Sequence, residues 1–186
     1  MKLKIPLWIS AQLVLAALPS PTLTAAAPQA DPTGQRFVCN TGYTMEKCNK
    51  DMAVLRTTLA KYPMAQLGNW TWILVLSKDW KPIVRPRRLD PDSPAFTYYA
   101  KRETFIEEAL VADVPERSDE LKARWHMRPD KLLDLAVAHE LGHAFCNDKS
   151  EEIANHGAER LREGQGPSCE TNLEARFLAG EMRKPR

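Results

Sequence analysis

Residues 130–146, DKLLDLAVAHELGHAFC, are the stretch that decides the fold. Apolar side chains occur on most faces of this segment, as is typical of a helix buried on most sides: Leu132, Leu133, Leu135, Ala136, Val137, Leu141, Ala144 and Phe145. Pro129 and Asp130 are residues that commonly start a helix. Gly142 costs about 1 kcal/mol relative to alanine inside a helix, so its presence predicts that something packs closely against it.

The same segment carries an H-E-x-x-H pattern, formed by His139, Glu140 and His143. Residues four apart lie on one face of a helix, so both imidazoles can point at one ion. Catalytic zinc is usually held by three protein ligands and a water, and a carboxylate beside the first ligand can take a proton from that water. The pattern therefore predicts a Zn²⁺ site with Glu140 as the catalytic base.

The residues that follow the helix predict the third ligand. Residues 147–150, NDKS, indicate a tight turn, and residues 151–162 indicate a second helix. The two helices would form an antiparallel hairpin with axes about 8–10 Å apart. We expect Glu151 to lie opposite His143 and to be the third zinc ligand. We expect Asn155, one turn further on, to form a hydrogen bond with the ring nitrogen of His139 that does not bind the metal.

The sequence leaves open other choices for the third ligand and for the donor that stabilises the oxyanion. The third ligand could instead be Glu152, Asp148 or His156. His156 could also lie beside the metal as a hydrogen-bond donor, outside the ligand set. The donor that stabilises the oxyanion of the reaction has five candidates: Tyr98, Tyr99, His126, His156 and Arg160.

Two short motifs resemble a known enzyme family. AHELGHAF resembles the active-site helix of the zincin metallopeptidases, and SEEIAN resembles the E-x-x-x-D/N segment of the gluzincin branch. The E-x-x-A-N form is similar to the small ImmA/IrrE-type peptidases, and the similarity covers about residues 95–162. The resemblance implies a zincin-like fold, with zinc bound by His139, His143 and Glu151 and with Glu140 as general base. One departure is that only seven residues separate His143 from Glu151.

The N-terminal residues indicate export. Residues 1–26 have the features of a signal peptide: a basic start, a short apolar stretch over residues 5–18 and small residues before the cleavage site. Residues 27–36 are predicted to be a flexible linker, and residues 37–186 a single domain. Without the signal peptide the net charge falls from +2 to about zero, which argues against a nucleic-acid binder. We expect a secreted or periplasmic protein with no stable membrane insertion after cleavage.

The four cysteines indicate two disulfides in an exported chain. Three pairings are possible. We favour Cys39–Cys48 and Cys146–Cys169, because each pair closes a short loop around a predicted helix end.

The remaining segments predict an α+β domain in which a short sheet with a hairpin packs on helices. The predicted helices are residues 44–62, 118–126 and 170–182, in addition to the two described above. Thr44 and Ser118 are the expected caps, and Met45 belongs to the predicted apolar stripe of the first helix. The predicted strands are residues 70–76, 95–100 and 104–111, and residues 77–94 are expected to be a long surface loop.

These features predict an exported zinc-dependent metalloendopeptidase that acts on a peptide or protein substrate. The alternative is a secreted, disulfide-stapled binding protein with a structural or vestigial zinc site. A third possibility is a zinc hydrolase with another substrate, such as a cell-wall peptide.

Overall fold

The computed structural model describes residues 34–170. The predicted signal peptide, most of the predicted linker and the predicted helix after Glu170 lie outside the described residues. The described elements, in chain order, are β1 (Gln35–Cys39), α1 (Met45–Leu59), β2 (Trp70–Val75), α2 (Ser77–Val84), β3 (Ala95–Tyr98), β4 (Glu103–Glu107), α3 (Pro115–Trp125), α4 (Pro129–Cys146) and α5 (Glu151–Arg162). In this part of the chain, no helix combines the length and the apolar character needed to cross a bilayer.

The strands form a four-stranded sheet in the order β1-β2-β4-β3. β1, β2 and β4 are parallel, and β3 runs antiparallel to β4 at the edge. The register places Thr97 of β3 opposite Thr104 of β4. The architecture is therefore α+β, as predicted.

α4 is buried against both the sheet and α1. The main core cluster joins Leu133, Val137 and Leu141 of α4 to Leu55 of α1 and Trp72 of β2. Residues of α4 at several positions around the helix are buried, in agreement with the apolar sequence of this segment.

α1 confirms the predicted helix with shorter bounds. Thr44 is its N-cap, and its side chain accepts a hydrogen bond from the backbone amide of Lys47 at 3.2 Å. Met52, Leu55 and Leu59 are buried as expected. The placement of Met45 in the core was wrong: it is the first residue of α1, and its side chain is 69% exposed.

Two segments that the sequence predicted to be irregular contain regular secondary structure. The predicted linker over residues 27–36 extends too far, since β1 begins at Gln35, whose buried side chain accepts a hydrogen bond from the indole of Trp72 at 3.0 Å. The predicted loop over residues 77–94 contains α2. Trp80 and Val84 of α2 are fully buried and pack with residues of β2, β3 and β4, and this tertiary burial outweighs the effect of Pro82, the proline inside the helix.

Three predicted boundaries also need correction. The predicted strands 95–100 and 104–111 are shorter, and each is followed by a 3₁₀ turn, at Tyr99–Lys101 and at Glu108–Leu110. The predicted helix 118–126 begins three residues earlier, at Pro115. Ser118 is not its cap: it is a buried residue of the first turn, and its hydroxyl accepts a hydrogen bond from the amide of Val114 at 3.1 Å.

Asp134 connects α4 to the residues that follow α1 and to the end of α5. Its carboxylate accepts hydrogen bonds from Lys61 Nζ at 2.9 Å and Tyr62 OH at 3.1 Å, and lies 3.4 Å from the guanidinium of Arg162. Burial alone would raise the pKa of Asp134, but the hydrogen bonds from Lys61 and Tyr62 and the two positive charges outweigh it, so this pKa is lowered.

Both disulfides have the predicted pairing. Cys39–Cys48 links the end of β1 to α1, and Cys146–Cys169 links the end of α4 to the segment after α5. No cysteine is free, since the chain has four and all are paired. The two disulfides support an oxidising compartment.

Candidate metal centre

The two histidines of the H-E-x-x-H pattern lie on one face of α4. Their ring centroids are 4.8 Å apart and the ring planes are perpendicular. His139 Nδ1 lies 3.0 Å from Asn155 Oδ1, and His143 Nδ1 lies 2.8 Å from the carbonyl oxygen of Asp148. Both partner atoms are acceptors, so each Nδ1 carries the proton and each Nε2 has a free lone pair. Burial, the largest influence, lowers the pKa of His143, which favours the neutral ring that a metal needs.

The side chain of Glu151 lies between the two free nitrogens. Its Oε2 is 3.1 Å from His139 Nε2, and its Oε1 is 3.6 Å from His143 Nε2. The ligand atoms of His139, His143 and Glu151 all lie within 4.8 Å of one another, so the three residues could hold a metal ion. The Glu151 side chain is 74% exposed, which leaves one side of the cluster open to solvent.

Local sequence explains why α4 and α5 form this hairpin. Asn147 ends α4 in the left-handed conformation, with φ of 48°. Asp148 Oδ1 then accepts a hydrogen bond from the amide of Ser150 at 2.7 Å, and Ser150 caps α5. Gly142 is the point of closest approach, because a Cβ there would lie 2.5 Å from the carbonyl oxygen of Ala154.

The other residues considered as third ligand lie elsewhere. The side chain of Asp148 is used in the turn, and Glu152 is exposed on α5. His156 is partly buried, and its Nδ1 has no hydrogen-bond partner within the described residues. Among those residues, none of the three belongs to the group whose ligand atoms converge.

Glu140 is directed toward the sheet from the same stretch of α4. Its side chain is buried, and its Oε2 accepts a hydrogen bond from Thr97 Oγ1 of β3 at 2.7 Å. Burial and, to a smaller extent, the negative charge of Glu151 raise the pKa of Glu140 to about 8, although the Thr97 hydrogen bond acts in the opposite direction. A nearby divalent cation would favour the ionised carboxylate, so a metal fits this site electrostatically.

The cluster lies in a cavity of 660 Å³. One side of the cavity is a face of α4: Leu132, Leu135, Ala136, His139, Glu140 and His143. The edge strand β3 contributes Ala95, Phe96 and Thr97, and the outer rim includes Leu89, Arg124 and Trp125. An extended peptide could therefore lie between α4 and β3, beside the three converging side chains.

A buried arginine holds part of the rim. The guanidinium of Arg117 donates to both carboxylate oxygens of Glu107, at 2.8 and 3.0 Å, and to the carbonyl oxygen of Pro91 at 3.1 Å. These bonds connect α3 to the end of β4 and to the segment before β3. Burial raises the pKa of Glu107 even though Arg117 pairs with it. Both α3 and the segment before β3 contribute residues to the cavity lining, so Arg117 joins two parts of its wall.

Tyr99 is the one oxyanion candidate that lines the cavity; Tyr98, His126, His156 and Arg160 do not. The ring centroid of Tyr99 is 5.9 Å from that of His143. Burial, followed by the carboxylates of Glu140, Glu151 and Asp148, raises the pKa of Tyr99. Its hydroxyl therefore keeps its proton at neutral pH and can donate a hydrogen bond.

The sequence analysis gave no role to Thr97, which donates a hydrogen bond to Glu140. Its neighbours Thr104 and Trp70, which extend the contact into the sheet, were also missed. The sequence held no signal for these contacts, because they depend on the observed register of β3 and β4 and on how α4 packs.

Comparisons with known proteins find no matching family model, no matching curated protein and no matching solved structure.

Proposed function

We propose that this protein is an exported zinc-dependent metalloendopeptidase. The observation that carries the proposal is the convergence of three metal-binding side chains beside a buried glutamate, within a cavity bounded by an edge strand. Along the chain, the H-E-x-x-H pattern is followed by the glutamate Glu151, and this is the order of the corresponding residues in the gluzincin branch that the sequence resembles. The two disulfides support a secreted or periplasmic location.

The donor set favours zinc. Two imidazoles and one carboxylate are a common ligand set of catalytic zinc, and three protein ligands leave a position for water. His139 and His143 would bind through Nε2, because each Nδ1 already has a protein acceptor. A zinc ion bound here would supply Lewis-acid polarisation of the scissile carbonyl and would lower the pKa of the attacking water.

The protein residues then have distinct roles. Glu140 takes a proton from the attacking water and later delivers it to the leaving amine. The Tyr99 hydroxyl donates to the developing oxyanion from the wall of the cavity. The open edge of β3 offers backbone groups that can pair with an extended peptide and orient its scissile bond.

The first test measures zinc content and hydrolysis in matched variants. The variants are Glu151→Gln, Glu140→Gln and, as the control, Glu152→Gln, which changes an exposed neighbour outside the cluster. Zinc is measured by elemental analysis, and hydrolysis with a quenched fluorescent peptide library. We expect one zinc per chain in the parent and the control, and a loss of zinc in Glu151→Gln. Glu140→Gln should keep its zinc and lose turnover.

Results that differ from these expectations would contradict specific parts of the proposal. If Glu151→Gln and Glu152→Gln retain zinc equally, Glu151 is not the third ligand. If Glu140→Gln keeps its activity, it is not the base. If the parent binds zinc but cleaves neither the library nor cell-wall peptides, the endopeptidase proposal is wrong. A coordination measurement with four protein ligands and no water would then identify a structural zinc in a binding protein.

A further inference from the structure

A line of hydrogen bonds crosses the sheet and ends on Glu140. Trp70 Nε1 of β2 donates to Thr104 Oγ1 of β4 at 2.9 Å. Thr104 Oγ1 lies 3.0 Å from Thr97 Oγ1 of β3, which donates to Glu140 Oε2 at 2.7 Å. Trp70 is 2% exposed, Thr104 0% and Glu140 5%, whereas Thr97 is half-buried, so the part of the line inside the sheet is shielded from water and the end formed by Thr97 and Glu140 faces the cavity.

With Glu140 ionised, the form that a bound cation favours, the chemistry of the four groups sets one direction for every proton. An indole N–H can only donate, and an ionised carboxylate can only accept. Thr97 gives its single proton to Glu140, so it must accept from Thr104. Thr104 in turn accepts from Trp70. Reversing either hydroxyl would leave a buried donor or acceptor unpaired, which is costly in a dry interior.

This arrangement has a consequence for the carboxylate at its end. Oε2 of Glu140 is bonded to the sheet, so rotation of the carboxyl group about its last side-chain bond is restricted. Oε1 has no hydrogen-bond partner among the described residues and is the oxygen available to a reacting water. Thr97 alone contacts the carboxylate, but it is bonded through Thr104 to Trp70, and these three residues come from three adjacent strands, a rigid support compared with a loop.

We propose that Trp70, Thr104 and Thr97 are positioning residues that hold the Glu140 carboxylate in its reactive orientation. This inference rests on the proposed role of Glu140 as general base. The competing explanation is that the two threonines only satisfy buried polar groups. The two explanations differ in what a lost hydroxyl does to turnover when the metal and the fold are intact.

The kinetic test compares variants that lose a hydroxyl with one that keeps it. Thr97→Val and Thr104→Val remove the hydroxyl with little change in shape, and Thr97→Ser retains it. Thr58→Val is the control, because Thr58 is buried like Thr104 and, among the described residues, its hydroxyl bonds only to the backbone of α1, at Val54 O. We expect kcat to fall about 10- to 100-fold in Thr97→Val and Thr104→Val, with KM and zinc affinity unchanged.

Rescue by the conservative variant separates positioning from general stability. Thr97→Ser should recover kcat to within a few-fold of the parent, and Thr58→Val should resemble the parent. Circular dichroism and the thermal midpoint verify that each variant is folded at the assay temperature. An unchanged kcat in Thr97→Val, or an equal loss in Thr97→Ser and Thr58→Val, would overturn the proposal.

A second readout does not depend on turnover. Crystal structures of the zinc-loaded parent and of zinc-loaded Thr97→Val would show the orientation of the Glu140 carboxylate. We expect it to rotate, or to occupy two orientations, in the variant. An unmoved carboxylate would refute the positioning role. A parent that cleaves no peptide would refute the proposed function, and the carboxylate orientation would still decide the inference.

Discussion

Gly142→Ala is the substitution that most directly tests the packing of the metal site. A Cβ at this position would lie 2.5 Å from the carbonyl oxygen and 2.9 Å from the Cα of Ala154. Both atoms belong to the backbone of α5, so no side chain can rotate to make room. An ordinary contact begins at 3.4 Å, and α5 must therefore move away from α4 by about 0.9 Å.

Two opposing effects set the size of the change. Alanine gains about 1 kcal/mol over glycine in a helix, and overpacking of this kind costs about 1–3 kcal/mol. We expect the free energy of unfolding to fall by up to about 2 kcal/mol. The effect on metal binding should be larger, because Glu151 and Asn155 move with α5 and ligand distances tolerate only about 0.2 Å. Zinc affinity should fall at least tenfold.

Urea unfolding and a competitive chelator titration measure these two quantities. Gly166→Ala is the control, since a Cβ there would meet no atom of the described residues within 4 Å. The control should bind zinc like the parent. Gly142→Ala with increased stability and unchanged zinc affinity would refute the argument, because it would show that α4 and α5 are not in close contact in solution.

Further predictions concern the supports of the site and of α4. Asn155→Ala should weaken zinc binding about 10- to 100-fold in a chelator titration, because His139 loses the acceptor that orients its ring; equal affinities would mean that this contact is dispensable. Asp134 has a lowered pKa in the folded state, so its contribution is present above its unfolded pKa of about 4 and is lost as the pH falls through the folded value. Asp134→Asn should therefore lose about 1 kcal/mol of unfolding free energy at pH 7, and its difference from the parent should vanish in acid; a difference that persists at pH 2 contradicts this assignment. Replacing both Cys146 and Cys169 by serine should lower the unfolding free energy by about 3 kcal/mol, from the 23-residue separation that the disulfide closes, as measured in urea; an unchanged midpoint would show that the disulfide adds nothing.

The local part of the candidate site was predictable from sequence. His139 and His143 share a face because they are four residues apart in a helix, and a four-residue turn brings Glu151 back to them. Thr44 as the cap of α1 depends on the same kind of short-range rule, and it was also predicted. The disulfide pairing was a preference for short loops and proved right. That the three residues bind zinc stays a prediction.

The tertiary structure alone decided the surroundings of that site. Thr97 is 43 residues from Glu140 in the chain, and Trp70 is 34 residues from Thr104, so their contacts depend on strand order and on the packing of α4. The choice of Tyr99 among five oxyanion candidates depends on the same packing. α2 was missed because the prolines of residues 77–94 favour a loop, whereas the burial of Trp80 stabilises a helix with Pro82 inside it. Sequence spacing determines contacts within a helix or across a short turn, whereas contacts between distant segments exist only once the core has formed.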